Sequence, residues 1–419
     1  MKKTSNHKEA LMREMKRRTL STMHFAEYAV QKRHIEDRLK YYDPTPIANH
    51  KPEGCRIIAF MITRMVRFHG GQTSILRIGT ELEKLGIRVY YLVYKSQSRE
   101  DMCICAESNL PGYKGRCLPM AQYLRLIEAG KCKTPDFVCA SSWDTVSLVK
   151  QFENSYKLYF VQDYEPYFYP FGEEFLMCRN TYFEGLHMVS LGAWNREMIL
   201  REGKTDRLGK PLVLDCIDFP YEPGEYDAPD RDYDSYATRK RFTIAAYVKY
   251  YGKRLPSLIP YMLQNTAARL AEKGIELEVL YYGEAKTFKP AGGRNLGQLN
   301  REEMSELYAK ADFGMVASMS NISLVPFEMH AAGLPLIEFA DGTYSRFLPP
   351  DSAILTSVGR KDIAAELLEA AAAPEKLRKM HDSAMAAMKP LSWSASAEQF
   401  KRIMEKAADN SIKILYFSN

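Results

Sequence analysis

No stretch of this sequence reaches the roughly 18–20 uninterrupted apolar residues that a membrane-spanning helix needs. The polar, basic N-terminus lacks an apolar core followed by a small-residue cleavage site, so no secretory signal is expected. The eight cysteines (Cys55, Cys103, Cys105, Cys117, Cys132, Cys139, Cys178 and Cys216) show no Cys-x-x-Cys spacing and no following histidine pair. Small buried hydrophobes in a reducing cytosol account for such thiols, and neither a metal site nor a disulfide is expected. A G-x-G-x-x-G loop with an acidic residue about twenty positions on is also missing, which argues against a dinucleotide-dependent enzyme. The segment HGGQTS, residues 69–74, does not supply it.

What is present is ordinary for a globular chain. The hydrophobic fraction is 46% and the charged fraction 26% of 419 residues, a length that suggests two or three domains at roughly 100–200 residues each. The net charge of +6 is mild. It suits an anionic small ligand or a membrane surface and does not call for nucleic acid.

Residues 1–42 are dense in Lys, Arg, Glu and Met and lack Gly and Pro, a composition that favours helix. This segment reads as a helical extension that packs on the body, or as a basic helix touching anionic lipid. Asp43–Pro46 then breaks the pattern.

The regular grammar begins at Arg56. RIIAFMI (56–62) is a short apolar run, as expected of a buried parallel strand. A polar loop to Gln72 leads into a helix with Ile75, Ile78, Leu82 and Leu85 on one face. IRVYYLVY (87–94) is the next strand, completing a βαβ unit. Strand then helix recurs at 136–150 and 187–200, and the strand at 157 runs into the aromatic loop QDYEPYFYPFG (162–172). Beyond Asp218 the chain turns rich in Pro, Asp and Tyr, without periodicity, and reads as a linker. A second α/β array follows, with strands near 241–248, 275–283, 312–318 and 334–339. Its helices fall near 255–274, 301–311, 325–333 and 361–388.

The implied fold class is α/β. Two Rossmann-like domains face each other behind an N-terminal helical extension. The expected boundaries are 1–50 for the extension and 51–220 for the first, acceptor domain. They continue as 221–240 for the linker, 241–388 for the second, donor domain, and 389–419 for a C-terminal crossover helix and tail. Ligands of open α/β sheets sit beyond the carboxyl ends of the strands, so the cleft between the sheets is the expected site.

Several residues fall there. The small polar turn Ser320, Asn321, Ser323 precedes a helix with Pro326 in its first turn. Its free N–H groups and partial positive charge suit phosphate. Glu328, one turn in, is placed to accept ribose or sugar hydroxyls, each charge-assisted bond giving about 1.5–3 kcal/mol. An ordinary capped surface helix is the plainer alternative. Lys249, Lys253 and Arg254 share the loop after the strand at 241–248, where a diphosphate would need cations. In the first domain, Gly70, Gly71 and Gln72 follow His69 between strand and helix, where glycines permit close backbone approach. Gln162, Asp163 and Glu165 lie among five aromatics, a mixture that suits carbohydrate and equally suits a packed crossover.

Together these segments resemble the GT-B glycosyltransferases and, within them, glycosyltransferase family 4. The resemblance runs nearly continuously from about residue 241 to 400. In YVKYYGKR, Lys249 and Arg254 fall on the family's two cationic positions, with Lys and Arg exchanged. NLGQLNREEM places Gly297, Gln298 and Leu299 along the base pocket. SNISLVPFE matches the family's Glu-x7-Glu element, with Glu328 at the second glutamate and Ser320 in place of the first. SWSASAEQF resembles the final helix that crosses back to the first domain. In the first domain FHGGQTSILRIGTELEKLG carries the match, and QDYEPYFYP most resembles bacterial polysaccharide rhamnosyltransferases, which use dTDP-L-rhamnose.

The resemblance implies transfer of a sugar from a nucleoside diphosphate sugar to a hydroxyl of a glycan or lipid-linked glycan, with retention of configuration. Lys249, Arg254 and the backbone around Ser323 and Leu324 would meet the charge of the leaving diphosphate, so no metal and no separate cofactor is expected. Asp163 or Glu165 would orient the acceptor, and the sequence does not choose between them. A cytoplasmic location is expected, with possible contact of residues 1–42 to the inner face of the membrane. A GT-B-fold epimerase and a non-catalytic nucleotide-sugar-binding protein are the alternatives.

Overall fold

The apolar runs become two parallel sheets. The computed structural model describes residues 25–26, 28–222, 224–226, 231–250 and 252–409. In the first domain, β1 (Ile57–Ile62), β2 (Arg88–Val93), β3 (Arg116–Pro119), β4 (Phe137–Ala140), β5 (Tyr156–Val161), β6 (His187–Leu191) and β7 (Leu214–Ile217) form one sheet. Its order is β3-β2-β1-β4-β5-β6-β7. In the second, β8 (Arg241–Tyr247), β9 (Glu276–Tyr282), β10 (Arg294–Asn295), β11 (Phe313–Met315), β12 (Leu336–Phe339) and β13 (Ile354–Thr356) run in the order β10-β9-β8-β11-β12-β13. Every pairing is parallel. All six residues of β1 are buried, as a strand covered by helices on both faces must be.

Each sheet therefore reverses its winding once, between β1 and β4 and between β8 and β11. A crevice opens at the carboxyl ends of strands at such a reversal. Both crevices are the places where this protein gathers polar side chains.

Local sequence explains the helices that frame them. Helix Gly70–Lys84 buries Ile75, Ile78 and Leu82 and is capped by His69, whose ring accepts from the Gln72 N–H. Helix Arg301–Lys310 starts with a reciprocal capping box between Asn300 and Glu303. The final helix, Trp393–Ala408, packs on the first domain. The Phe400 ring lies 6.1 Å from Phe60 and 5.7 Å from Phe160, and Gln399 donates to the Asp218 carboxylate at 2.7 Å. Burying an aromatic side chain of this size contributes about 1.5–3 kcal/mol.

The described residues of 221–240 are anchored by tyrosines. Tyr221, Tyr226, Tyr233 and Tyr236 are buried. The Tyr233 hydroxyl donates to the Gly333 carbonyl at 2.7 Å and the Tyr236 hydroxyl to the Asp312 carbonyl at 3.2 Å. The segment lacks periodicity because it is held by side-chain hydroxyls and not by a regular ladder.

Residues 28–39 are helical. This N-terminal helix packs on the first domain through buried Ile35, an Arg38–Asp144 ion pair at 2.8 Å and a His34–Glu174 contact at 2.9 Å. Residues 1–24 lie outside the described residues, and with them most of the segment read as a lipid-contacting helix. Among the described residues no helix is long and apolar enough to cross a membrane.

Candidate functional site

The loop after β8 carries Lys249, Lys253 and Arg254. Arg254 is buried, and its Nη1 donates to the Ala317 carbonyl at the end of β11, 2.7 Å away. It thus ties together the two strands that flank the second sheet's reversal. Burial pushes Lys249 and Lys253 below the ordinary lysine range. For Lys253 the neighbouring Asp163 carboxylate opposes that trend. Leu255, next in the chain, adopts a φ of 47°. Phe68, in the facing loop after β1, has a φ of 53°. These are the two non-glycine residues with positive φ among those described, and both lie on loops at the cleft, where such strain concentrates.

The loop after β11 supplies the second half. Ser318 donates its N–H and its hydroxyl to Glu338, a buried carboxyl on β12 that burial pushes up to about 7 against those bonds. Ser323 opens helix Leu324–Ala331 without a side-chain cap bond. Its hydroxyl and the Asn321 Oδ1 are buried without a partner. The free N–H groups of this helix start and the Ser323 hydroxyl can donate to an anion, whereas the Asn321 Oδ1 only accepts.

The first domain reaches into that site. One oxygen of Asp163 accepts from Lys253 and, at 3.0 Å, from the Ser320 hydroxyl. The other accepts the Asn321 N–H, also at 3.0 Å. The Asn321 amide donates to the carbonyls of Gln162 at 2.7 Å and Leu191 at 2.9 Å, at the ends of β5 and β6. Lys253 lies over the Phe168 ring, 4.0 Å from its centroid. The two domains therefore meet through an anion held by a cation, a hydroxyl and a backbone N–H.

Glu165 does not share this place. Its carboxyl points into the first domain and accepts from the Trp143 N–H at 2.9 Å and the Tyr159 hydroxyl at 2.7 Å. Burial pushes it up to about 8 against those bonds. Of the two carboxylates, Asp163 faces the second domain and Glu165 is bonded within the first.

The glycine loop is also more occupied than its composition implies. The Gln72 amide bridges its own loop, accepting the Val66 N–H at 2.8 Å and donating to the Arg64 carbonyl at 2.7 Å. It is a brace, not a free donor toward a ligand. Gly70 faces open space and Gly71 sits beside His69 and Gln162. His69 is exposed; crowding of its ring in the loop and the Lys249 charge push it down from its ordinary value.

Gly297, Gln298 and Leu299 follow β10 at the same edge of the second sheet. Gly297 has a φ of 92°, and its carbonyl accepts the Gly283 N–H at 2.9 Å. Glu328 lines a separate narrow cleft beside Arg77, Glu225, Tyr226 and Trp393. Burial and the Glu225 charge push Glu328 up to about 7, with Arg77 opposing. Burial pushes the Tyr247 hydroxyl, at the end of β8, above its ordinary range.

The interdomain contacts of Lys253 and Asn321 are not announced by their local sequence. Lys253 was visible as one of three cations in its loop. Asn321 pairs with a carbonyl 159 positions away, and nothing local marks that. The Asp-x-Asp spacing that suits a divalent metal occurs at Asp230/Asp232, where Asp230 lies outside the described residues, and at Asp232/Asp234. There Asp232 accepts from Ser235 and Asp234 pairs with Arg378.

No family model matches this chain, and no curated protein matches it. Solved structures do. HepE of Anabaena, solved with UDP and glucose, is 11% identical with a TM-score of 0.63 over 84% of this chain and 100% of its own. A glycosyltransferase of Rickettsia africae is 11% identical, with a TM-score of 0.62 over 85% and 99%. A TarM variant of S. aureus, solved with Fondaparinux, alpha-GlcNAc-glycerol and UDP, is 9% identical, with a TM-score of 0.63 over 83% and 99%. The fold is the GT-B arrangement of two facing parallel-sheet domains.

Proposed function

We propose that this protein transfers a sugar from a nucleoside diphosphate sugar to a hydroxyl of a glycan. The observation that carries this reading is the anion cradle at the reversal of the second sheet. It consists of Lys249 and Arg254 after β8, facing the start of helix Leu324–Ala331 after β11, which has no side-chain cap; Lys253 and the Asn321 N–H stand beside it, paired to Asp163. A donor diphosphate needs these elements, and the solved neighbours that carry UDP share the fold.

In this reading the bond from the sugar's anomeric carbon to the β-phosphate oxygen breaks while the acceptor oxygen bonds to that carbon. The acceptor's proton passes to the departing phosphate oxygen on the same face, with retention and no enzyme nucleophile. The lysines and Arg254 stabilise the charge that develops on the diphosphate, so the step is assigned no metal. Glu328 takes ribose hydroxyls, and Gly297 to Leu299 line the base.

Asp163 fills the gap left at Ser320. The carboxylate absent from that position arrives from the opposite domain, already hydrogen-bonded to the Ser320 hydroxyl. One short carboxylate suits a donor sugar with few hydroxyls, and dTDP-L-rhamnose is the donor assigned.

The test is thermal stabilisation by UDP, dTDP, GDP and their sugars, followed by turnover with those that bind. A ligand at about 100 times its Kd adds roughly 2.7 kcal/mol, a shift easily read. Wild type is expected to respond to a dTDP ligand, and Lys253→Ala to lose most of the response. Silence toward every nucleotide at millimolar concentration would refute the donor site. Better turnover of a UDP-hexose than of dTDP-L-rhamnose would refute the donor assignment alone.

A further inference from the structure

The first sheet has its own crevice at the reversal between β1 and β4, and it holds an open pocket of about 130 Å³. Its floor is Asp144, just beyond β4. Asp144 accepts from the Thr63 hydroxyl at the end of β1 at 3.0 Å, and from Arg38 of the N-terminal helix at 2.8 Å. Lys95, beyond β2, forms one rim. Two rings, Tyr41 and Tyr94, line another side with centroids 5.4 Å apart. Trp143 closes the back under the Arg38 guanidinium, 5.3 Å away.

This pocket is separate from the cradle yet joined to it. The Trp143 N–H donates to Glu165 at 2.9 Å, two residues from Asp163 in one short turn. Its chemistry differs as well. Aromatic faces are gathered with two carboxylates, Asp37 and Asp144, the Lys95 ammonium, His34 and the Arg38 guanidinium, the last already paired with Asp144. Ring C–H faces stack on aromatics, hydroxyls donate to carboxylates, and ammonium groups donate to ring and hydroxyl oxygens.

We infer that this pocket, completed by the N-terminal helix, binds a pyranose residue of the acceptor glycan. The assignment rests on the transferase reading above. The N-terminal helix is then part of the binding site: without it the pocket loses Tyr41, Asp37 and the Arg38 brace on Asp144.

Saturation-transfer NMR on the full chain tests this. The probes are methyl α-D-glucopyranoside, methyl β-D-galactopyranoside and methyl α-L-rhamnopyranoside, each with UDP or dTDP present. At least one glycoside should take up saturation from wild type. Tyr41→Ala and Lys95→Ala should weaken that glycoside about tenfold, and Tyr41→Phe should largely restore it. Both altered residues are exposed, Tyr41 by 44%, so the variants should fold. No saturation in wild type, or equal saturation in wild type and both alanine variants, overturns the assignment. Nucleotide thermal shifts on the same samples separate the two readings. A nucleotide response without glycoside binding sinks the pocket alone. Tyr41-dependent glycoside binding without any nucleotide response sinks the donor reading alone.

Discussion

At the scale of the residue, Glu328 sets a pH dependence. Burial and Glu225 push its carboxyl up to about 7, so near neutrality a sizeable share of the protein carries it protonated. Only the carboxylate accepts two hydroxyl hydrogen bonds with the strength of a charged acceptor, about 1.5–3 kcal/mol each against 0.5–1.5 for a neutral one. Because the folded value is raised, the charged form appears only as pH climbs through about 7. Nucleotide affinity should therefore rise between pH 6 and 8. Glu328→Gln should bind about tenfold more weakly at pH 8, and its own affinity should stay flat across that range. Calorimetric titration at half-unit pH steps reads both effects. A flat wild-type profile would remove Glu328 from the ribose.

At the scale of the element, the loops at the carboxyl edge separate glycines that are required from glycines that are not. Gly283 ends β9 with a φ of 101°, and a Cβ there would lie 2.5 Å from the Tyr247 ring and 2.9 Å from the Val248 carbonyl. Gly70 opens helix Gly70–Lys84 with nothing within 4 Å of the same position. Gly283→Ala should thus cost more than about 2 kcal/mol, from strain at positive φ plus backbone overlap. Gly70→Ala should be neutral or slightly stabilising, since alanine is the better helix former. Differential scanning calorimetry would show the first well below wild type and the second beside it. A Gly283→Ala transition at the wild-type temperature would mean that the loops after β8 and β9 are not packed as described. The same edge shows what sequence could reveal. The central strand β1 stood out because both faces are covered and apolar residues run on without interruption, and β5 and β8 because only Lys157 and Thr243 break their runs after the first residue. Residues 95–135 carried no such signal. The edge strand Arg116–Pro119 has four residues, two of them buried, and helix Arg99–Asn109 buries only Met102, Cys105 and Ala106. A weakly covered element leaves a weak pattern.

At the scale of the molecule, domain closure rests on contacts that no local pattern announces. Asp163 and Ser320 are 157 positions apart, and Asp163 and Lys253 are 90. The sequence marked Asp163 as a polar residue among aromatics and marked Lys253 as a loop cation. Only the facing of two sheets makes them partners. The Asp163–Lys253 pair is largely withdrawn from water, with side chains 9% and 17% exposed. Removing one partner of such a pair costs about 3–5 kcal/mol, because the other charge stays buried alone. Asp163→Asn keeps the shape and removes the charge. Whichever way the amide turns, its NH2 meets donors, either the Asn321 and Tyr164 N–H groups or Lys253 and the Ser320 hydroxyl. The closed arrangement should therefore lose its latch while each domain keeps its own core. Small-angle scattering should give a larger radius of gyration for ligand-free Asp163→Asn than for wild type. A nucleoside diphosphate, by returning an anion to Lys253 and the Asn321 N–H, should bring the variant back to the wild-type value. If the variant scatters like wild type without ligand, the other interdomain contacts hold the cleft and Asp163 is free to serve the substrate alone. If it opens and no nucleotide closes it, the anion that belongs between Lys253 and Asn321 is not a diphosphate.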